Sequence, residues 1–587
     1  MEYKLKQSTI PTASLTLVEK VFVNRGIALQ DIEHYLHTTD DDILPPERLK
    51  NMRQGAMMLA KHLKDNSHVL IQVDSDCDGM TSAALLFNYL YRLFPAKVLN
   101  NFSYRLHDGK QHGLIYETIP DDVKLVIAPD SSSNDLEIHQ KLAEKGIDVL
   151  VLDHHLAPVE SEYACVINNQ MCDYPTKSLS GVGIVYKFCC YLDKMLGVDA
   201  ANDFVDLASV GLVGDMVDIR DFETKRIIDR GIVNLVNPFI SEMHDSQEFS
   251  ISRHGGYDIY SIAFYIVPYI NAVIRSGTAE DKELLFNALL EFKAHEMIPS
   301  TKRGCKEQEE ELVTQAIRNC KNVKNRQTKE NELLTTQITK IIKDNNLLDN
   351  KILIVPVRQG LIANKNLTGL VANQLARTYA RPTLILNETY DEAGQKIWAG
   401  SGRNCENSKI ENLNEFLYNT GLTLEVAGHE NAFGISVLDC NFDEFIHIIN
   451  DTLALVEFTN SYQVDAIYEN QDCNSSDILQ IANLKSIWGQ CLSEPYIAIQ
   501  NLVVLQSRVQ ILSREKCPTL KITLTNGIEL IKFSLTEEEI NIFDNIGEGC
   551  LRMNLVGTCD KNVWNGNVTP QIKITEYEIT GHQAFCF

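Results

Sequence analysis

The chain has 587 residues, 44% apolar and 8% aromatic, a globular composition sized for about four domains, which excludes a disordered or collagen-like protein. Its formal net charge of -25 argues against a broad nucleic-acid surface, because phosphates are held by Lys and Arg. The 15 cysteines are odd in number and lack a Cys-x-x-Cys pair, which predicts reduced thiols rather than disulfides or a zinc site. With no signal-like start and no run of about 18 apolar residues, a soluble, cytoplasmic protein without a membrane segment is expected.

The first long apolar run is 68–73, and it leads into VDSDCDG at 73–79. Asp74, Asp76 and Asp78 stand at every second position, which on an extended segment places them on one side. At ~4 Å and an effective dielectric near 20, each like-charge pair costs roughly 4 kcal/mol, so such a cluster calls for exposure, protonation or a divalent cation. An exposed Asp/Gly turn is the plain alternative. A calcium loop is disfavoured, because Leu85 stands where D-x-D-x-D-G-x5-E requires Glu.

Strands are then predicted over 98–104, 124–128 and 148–152, and helices over 80–93, 135–145, 183–196 and 202–211. This alternation implies a mostly parallel sheet covered on both faces, with ligands beyond the carboxyl ends of its strands. Acids stand at those ends: the first cluster, Asp130 after KLVIAP, and Asp153-His154-His155 after DVLVL. Residues 300–348 read as a long helical connector, and Arg318, Lys321, Lys324, Arg326 and Lys329 within it are either a solvated helix face or a phosphate track.

A second α/β unit follows, with strands at 351–357, 382–386 and 396–399 and helices at 368–379 and 410–418. Gly400-Ser-Gly-Arg403 and Gly428-His429 are read as turns suited to an anion. From about 496 the texture is β, with Thr525-Asn-Gly527 as a hairpin signal. Five strands in this span suit an oligonucleotide-binding (OB) barrel or a plain β cap.

The D-x-D-x-D-G run, the strand-closing Asp130 and the Asp-His-His motif, in that order, resemble the DHH phosphoesterase superfamily. Residues 262–275, IAFYIVPYINAVIR, are similar to the G-F-x-x-x-P-R-I-N-A-A-G-R segment of RecJ-type single-strand exonucleases. TGLVANQLA at 368–376, GSGRN at 400–404 and AGH at 427–429 resemble the associated DHHA1 domain, and WGQCLSEP at 488–495 the approach to that family's OB barrel. The resemblance implies a parallel-sheet DHH domain and a smaller DHHA1 domain joined by a long helix, plus a C-terminal OB-type β-barrel. The corresponding divisions are an N-terminal extension at 1–45, then 46–298, 299–348, 349–458 and 459–587.

The same resemblance implies metal ligation by Asp76, Asp78, Asp130, His154 and Asp215, with Asp74 as participant or turn cap. It implies catalytic roles for Asp130, Asp153 and His155, the last on the scissile phosphate. Arg105, Asn271, Arg275, Ser401, Gly402, Arg403, Asn404 and His429 are the implied substrate contacts. Hard carboxylate oxygens with one imidazole suit Mn2+ or Mg2+, one or two ions, better than zinc.

The implied activity is a 5′ to 3′ exonuclease on single-stranded DNA that releases mononucleotides and acts as a monomer, with a single-strand-binding protein as a candidate partner. A phosphodiesterase of short oligonucleotides or cyclic dinucleotides and a non-catalytic single-strand-binding scaffold are the alternatives. Departures from the family pattern are Gln72 for His, Tyr269 for Arg, Val273-Ile274 for Ala-Gly, Ala427 for Gly, and Cys491-Leu-Ser for Gly-Asn-Pro. His107 and His112 are read as surface loop residues, and Ser180-Gly-Val-Gly183 as a helix start or an active-site turn.

Overall fold

Runs of aliphatic residues, each feeding a helix, build the sheet that positions the acids. The computed structural model describes residues 1–6, 14–108, 111–302, 304, 308–361, 367–391, 393–405, 408–458, 461–545 and 549–583. They form two units, one of 25–325 with 484–494, the other of 1–24, 326–483 and 495–587.

In the first unit, strands β1 (His68–Val73), β2 (Phe102–Leu106), β3 (Val123–Pro129), β4 (Asp148–Asp153) and β5 (Cys165–Asn168) make a sheet in the order β2-β1-β3-β4-β5, with every pairing parallel. Helices α1 (Cys77–Leu93), α2 (Leu136–Glu144), α3 (Gly181–Leu196) and α4 (Val205–Gly214) belong with it. β1, β3 and β4 are buried almost end to end, as expected of strands covered on both faces. Each fully buried Val, Leu or Ile there is worth roughly 1.5–3 kcal/mol. The chain runs from β1 outward to β2 and returns past β1 to β3, so the topological switch point lies between β1 and β3, where a crevice opens at the strands' carboxyl ends.

One predicted strand is corrected. Residues Pro95–Asn101 form a helix, with Pro95 in its first turn and Val98 buried, and the strand begins only at Phe102. Proline's fixed φ and missing N–H suit a helix start, which overrides the strand-like Val98-Leu99 pair. Farther on, a π-helical turn (Ile262–Ile266) precedes α5 (Val267–Ser276), with Pro268 in the first turn of α5. A proline cannot donate to the preceding turn, which accounts for the widened coil. Ile259–Ser276 is long and apolar enough to cross a membrane, with mean hydropathy 1.2, but half of it is buried within the protein and it carries Asn271 and Arg275.

The helical connector starts later than expected. Met297–Pro299 and Glu309–Glu311 pair as an antiparallel hairpin, and helix α6 then runs over Leu312–Asp344. Its basic stretch is not a uniform solvated face: Arg318 bonds Glu310, Lys321 Nζ donates to the Ser246 carbonyl, and Lys324 is half-buried.

In the second unit, β6 (Leu353–Val357), β7 (Thr383–Tyr390), β8 (Lys396–Arg403), β9 (Thr423–His429) and β10 (Ala432–Leu438) form a sheet in the order β9-β10-β8-β7-β6. α7 (Thr368–Tyr379) packs on it, and Leu334, Ile338 and Ile342 of α6 join the core of Leu353, Val355, Val371 and Leu375. Gly400-Ser-Gly-Arg403 is therefore strand, not turn. Its glycines admit close neighbours: a Cβ at Gly400 would lie 1.9 Å from the Ile385 carbonyl oxygen, and one at Gly402 2.4 Å from the Phe433 ring.

The C-terminal sheet has seven strands: β11 (Ala466–Glu469), β12 (Tyr496–Leu505), β13 (Val509–Leu512), β14 (Thr519–Thr523), β15 (Glu529–Lys532), β16 (Cys550–Trp564) and β17 (Asn567–Gln583), in the order β11-β12-β16-β17-β15-β14-β13. β12 is one strand with a register shift between Ile499 and Leu502. Asn565-Gly566, with both φ positive, turns the long β16–β17 hairpin, a primed-turn signal that sequence reading missed. Cys550 is disulfide-bonded, contrary to the expectation of reduced thiols throughout; the other described cysteines form no disulfide.

Candidate active site and metal centre

The three acids of VDSDCDG do not lie along one extended segment. β1 ends at Val73, Asp76 caps α1 by accepting the Gly79 N–H at 2.9 Å, and Asp78 sits in the first turn of α1. The chain thus turns from strand to helix inside the motif, and Asp74, Asp76 and Asp130 present ligand atoms within 4.8 Å of one another. A second such group is Asp78, His154 and Asp215, and a third is Asp130, Asp153, His154 and His155.

Asp130 follows β3 with φ +64, Ser132 has φ +81, and Met216, just after Asp215 at the end of α4, has φ +57. Non-glycine residues in this region are strained, and strain of this kind gathers at functional sites. Asp78 Oδ1 accepts from Ser180 Oγ at 2.9 Å and from the Val182 N–H at 3.2 Å, so Ser180 to Gly183 is both the start of α3 and part of the site. The floor is closed by glycines. A Cβ at Gly181 would lie 2.4 Å from Asp130, one at Gly211 2.7 Å from Asp78 Oδ1, and one at Gly79 2.6 Å from Asp74.

Burial, with mutual repulsion among the acids, raises the carboxyl pKa of Asp76 and Asp130, and burial raises that of Asp78. Burial and the charges of Asp78 and Asp76 push Asp215 up to about 8. Asp78 Oδ2 and Asp130 Oδ1 are buried without a hydrogen-bond donor, although His154 Nε2 lies 3.2 Å from Asp130 Oδ1 and 3.7 Å from Asp215 Oδ2. Such a donor-poor cluster of carboxylates around one imidazole fits hard divalent cations.

Asp153 differs. Its Oδ1 accepts from the His154 N–H at 2.7 Å, the His155 N–H at 3.2 Å and His155 Nδ1 at 2.7 Å, and its Oδ2 accepts the Ser133 N–H at 3.0 Å. Although it is buried, these donors and the neighbouring His155 hold its carboxyl below the usual carboxylate range. Asp153 accordingly orients His155, whose imidazole is 53% exposed and raised to about 9 chiefly by that hydrogen bond. Asn168 adds a brace, donating to the His155 carbonyl and to Ser133 Oγ at 2.9 Å each.

His107 and His112 are not ordinary surface loop residues. His107 is buried with Nε2 3.2 Å from Gln72 Nε2 and 3.6 Å from Asp74 Oδ1, and His112 Nδ1 lies 2.8 Å from Asp74 Oδ2. Arg105 is committed to the Thr118 carbonyl at 2.8 Å. Asn271 carries a buried Oδ1 without a donor. Arg275 ends α5; burial lowers its pKa, against the charges of Asp76 and Cys77.

The other unit gathers a separate polar cluster. Ser401 Oγ lies 2.8 Å from Thr368 Oγ1, and a Cβ on Gly369 would sit 2.5 Å from Arg403 Nη2, so Thr368 joins the residues read from sequence. Arg403 Nη1 donates to the Gly402 carbonyl at 2.6 Å. Asn404 Nδ2 is tied to the Ile410 carbonyl and Asn431 Oδ1 at 2.7 Å each, a structural brace, and His429 is exposed at the end of β9.

A family model described as the DHH family, N-terminal domain, matches residues 68–212, and one described as the RecJ OB domain matches 464–576. The chain is 34% identical over 564 residues to YorK of Bacillus subtilis strain 168, an SPβ prophage protein provisionally named a single-strand DNA-specific exonuclease, with 95% of each chain covered. The chain belongs to the RecJ-like family of DHH proteins. It is also 23% identical over 596 residues to the single-stranded-DNA-specific exonuclease RecJ of Bacillus subtilis, spanning 99% of this chain and 70% of that relative. The crystal structure of RecJ from Thermus thermophilus in complex with Mn2+ shares the fold, with a TM-score of 0.70 at 17% identity, covering 98% of this chain and 79% of that one.

Proposed function

We propose that this protein hydrolyses phosphodiester bonds of single-stranded DNA from the 5′ end, releasing mononucleotides, with Mn2+ or Mg2+ as cofactor. The observation that carries the reading is the convergence of Asp74, Asp76, Asp78, Asp130, His154 and Asp215 at the switch point of a parallel sheet, beside the Asp153–His155 pair. The names of the relatives support the substrate, and the Thermus thermophilus structures with Mn2+ and with Mg2+ support the ions.

In this reading Asp76, Asp78, Asp130, His154 and Asp215, with Asp74, hold the cations. Bound divalent ions supply Lewis acidity, which makes water nucleophilic near neutral pH and offsets charge on the phosphate oxygens. His155, fixed by Asp153, donates through Nε2 to the scissile phosphate. Arg275 holds a neighbouring phosphate by charge-assisted hydrogen bonds. In the second unit Ser401 and Arg403 offer a hydroxyl and a guanidinium to single-stranded DNA, and the C-terminal barrel binds it by stacking and electrostatics. None of these groups serves as a covalent nucleophile.

The test uses 5′-labelled and 3′-labelled strands, single and double, with Mn2+ or Mg2+, against Asp130→Asn. Immediate release of labelled mononucleotide from 5′-labelled single strands, lost in the variant, is expected. Cleavage confined to dinucleotides, or binding without cleavage, refutes the exonuclease reading, and activity surviving in Asp130→Asn refutes the site.

A further inference from the structure

The metal-site reading leaves one acid with an unexpected set of partners. Gln72, fully buried on β1, turns its amide toward the Arg105 carbonyl and His107, and its Oε1 has no donor. It offers the site no imidazole. Two residues on, and near the same His107, Asp74 is 2% exposed and is held from a different segment. His112 Nδ1 lies 2.8 Å from its Oδ2, and the Gly113 N–H donates to its Oδ1 at 3.3 Å.

That segment is pinned on both sides of His112. The Gln111 carbonyl accepts from Ser75 Oγ at 2.7 Å, and the Leu114 N–H donates to Asp135 Oδ2 at 2.9 Å. Gly113 has φ +72, and a Cβ there would stand 2.5 Å from Asp135 Oδ2, so only glycine lets the backbone pass. The place of His112 is therefore set by the fold. The arrangement repeats that of Asp153 and His155, a buried carboxylate bonded to Nδ1 of an imidazole whose other edge faces out; the imidazoles are 64% exposed for His112 and 53% for His155.

We propose that His112 is a positioning residue for the metal centre: it orients Asp74 as a cation ligand and so supplies from a loop the imidazole support that Gln72 does not give. A carboxylate oxygen has two lone pairs, so the bond from His112 leaves Asp74 able to share a cation with Asp76 and Asp130. Groups that hydrogen-bond metal ligands set ligand orientation, and their loss costs about 10–100-fold in metal affinity. The inference rests on the metal site of the proposed function.

The test is Mn2+ binding to the full chain without DNA, read by electron paramagnetic resonance of the free ion, for the wild type, His112→Ala, His112→Asn and Asp130→Asn. His112→Ala weakens binding of one ion by about 10–100-fold. His112→Asn restores most of it, because the amide N–H can stand in place of Nδ1–H. Saturating Mn2+ returns much of the strand-degrading kcat to His112→Ala. Wild-type affinity in His112→Ala, or binding by His112→Asn as weak as by His112→Ala, overturns the proposal. Undiminished binding by Asp130→Asn overturns the metal site itself, a failure separate from that of His112.

Discussion

Asp130→Asn should make the metal-free protein more stable and the cation-loaded protein less stable than the wild type. Asp130 shares a radius of 4.8 Å with Asp74 and Asp76, and its carboxyl is pushed far up by burial and by those neighbours. At about 5 Å and an effective dielectric near 20, each like-charge pair costs roughly 3 kcal/mol. Proton uptake relieves that cost at low pH and fades as rising pH ionises these raised carboxyls. At alkaline pH, where the cluster is ionised, removing one charge should therefore return on the order of 3 kcal/mol, or roughly 5 °C or more in melting temperature. Asparagine keeps the side-chain shape and tolerates the left-handed backbone found at this position. Cation at about 1,000 times its dissociation constant adds roughly 4.1 kcal/mol to the wild type, and far less to the variant. Thermal melts in chelator and in Mn2+ should therefore cross. A variant that melts below the wild type in chelator refutes the crowding argument.

The pH profile of the metal-free protein follows from the same cluster. Asp76, Asp78, Asp130 and Asp215 have raised pKa values and bind more protons folded than unfolded, so their contribution to stability falls from about pH 4 upward, in the case of Asp215 through about 8. The Asp153–His155 pair works oppositely at the acid end. The lowered Asp153 contributes stability above about pH 4 that is lost on acidification, and the raised His155 contributes stability below about pH 6.5 that is lost through about 9. Melting temperature in chelator should decline between about pH 5 and 8, while the increment from Mn2+ grows across that window as ligands deprotonate; an increment independent of pH contradicts the assignment. Arg275→Ala should weaken single-strand binding and reduce its salt slope by about 0.7, and an unchanged slope removes Arg275 from the phosphate path. Gly400→Ala drives a methyl to 1.9 Å from the Ile385 carbonyl oxygen and should destabilise the second α/β sheet by about 1–3 kcal/mol; an unaltered melt in that unit counts against the close packing of β7 and β8.

The sequence by itself determined the parallel sheet of the first unit, because β1, β3 and β4 are continuous aliphatic runs between helical periods, and it placed acids at their carboxyl ends. It also determined the family, since the motifs keep both residue type and order along the chain. What it misjudged depended on contacts far apart in sequence. Gly400 to Arg403 looked like a turn because glycines favour turns locally, yet they are there to let neighbouring strands approach. His107 and His112 looked like loop residues because their partner, Asp74, is more than thirty positions away. The division of labour among the acids was equally hidden. Asp153 and Asp130 each close a strand, but only tertiary structure saturates the first with donors and leaves an oxygen of the second bare. Local pattern fixes which residues reach a strand end, whereas burial and donor geometry, set by segments packed from elsewhere, decide which of them keeps lone pairs for a cation.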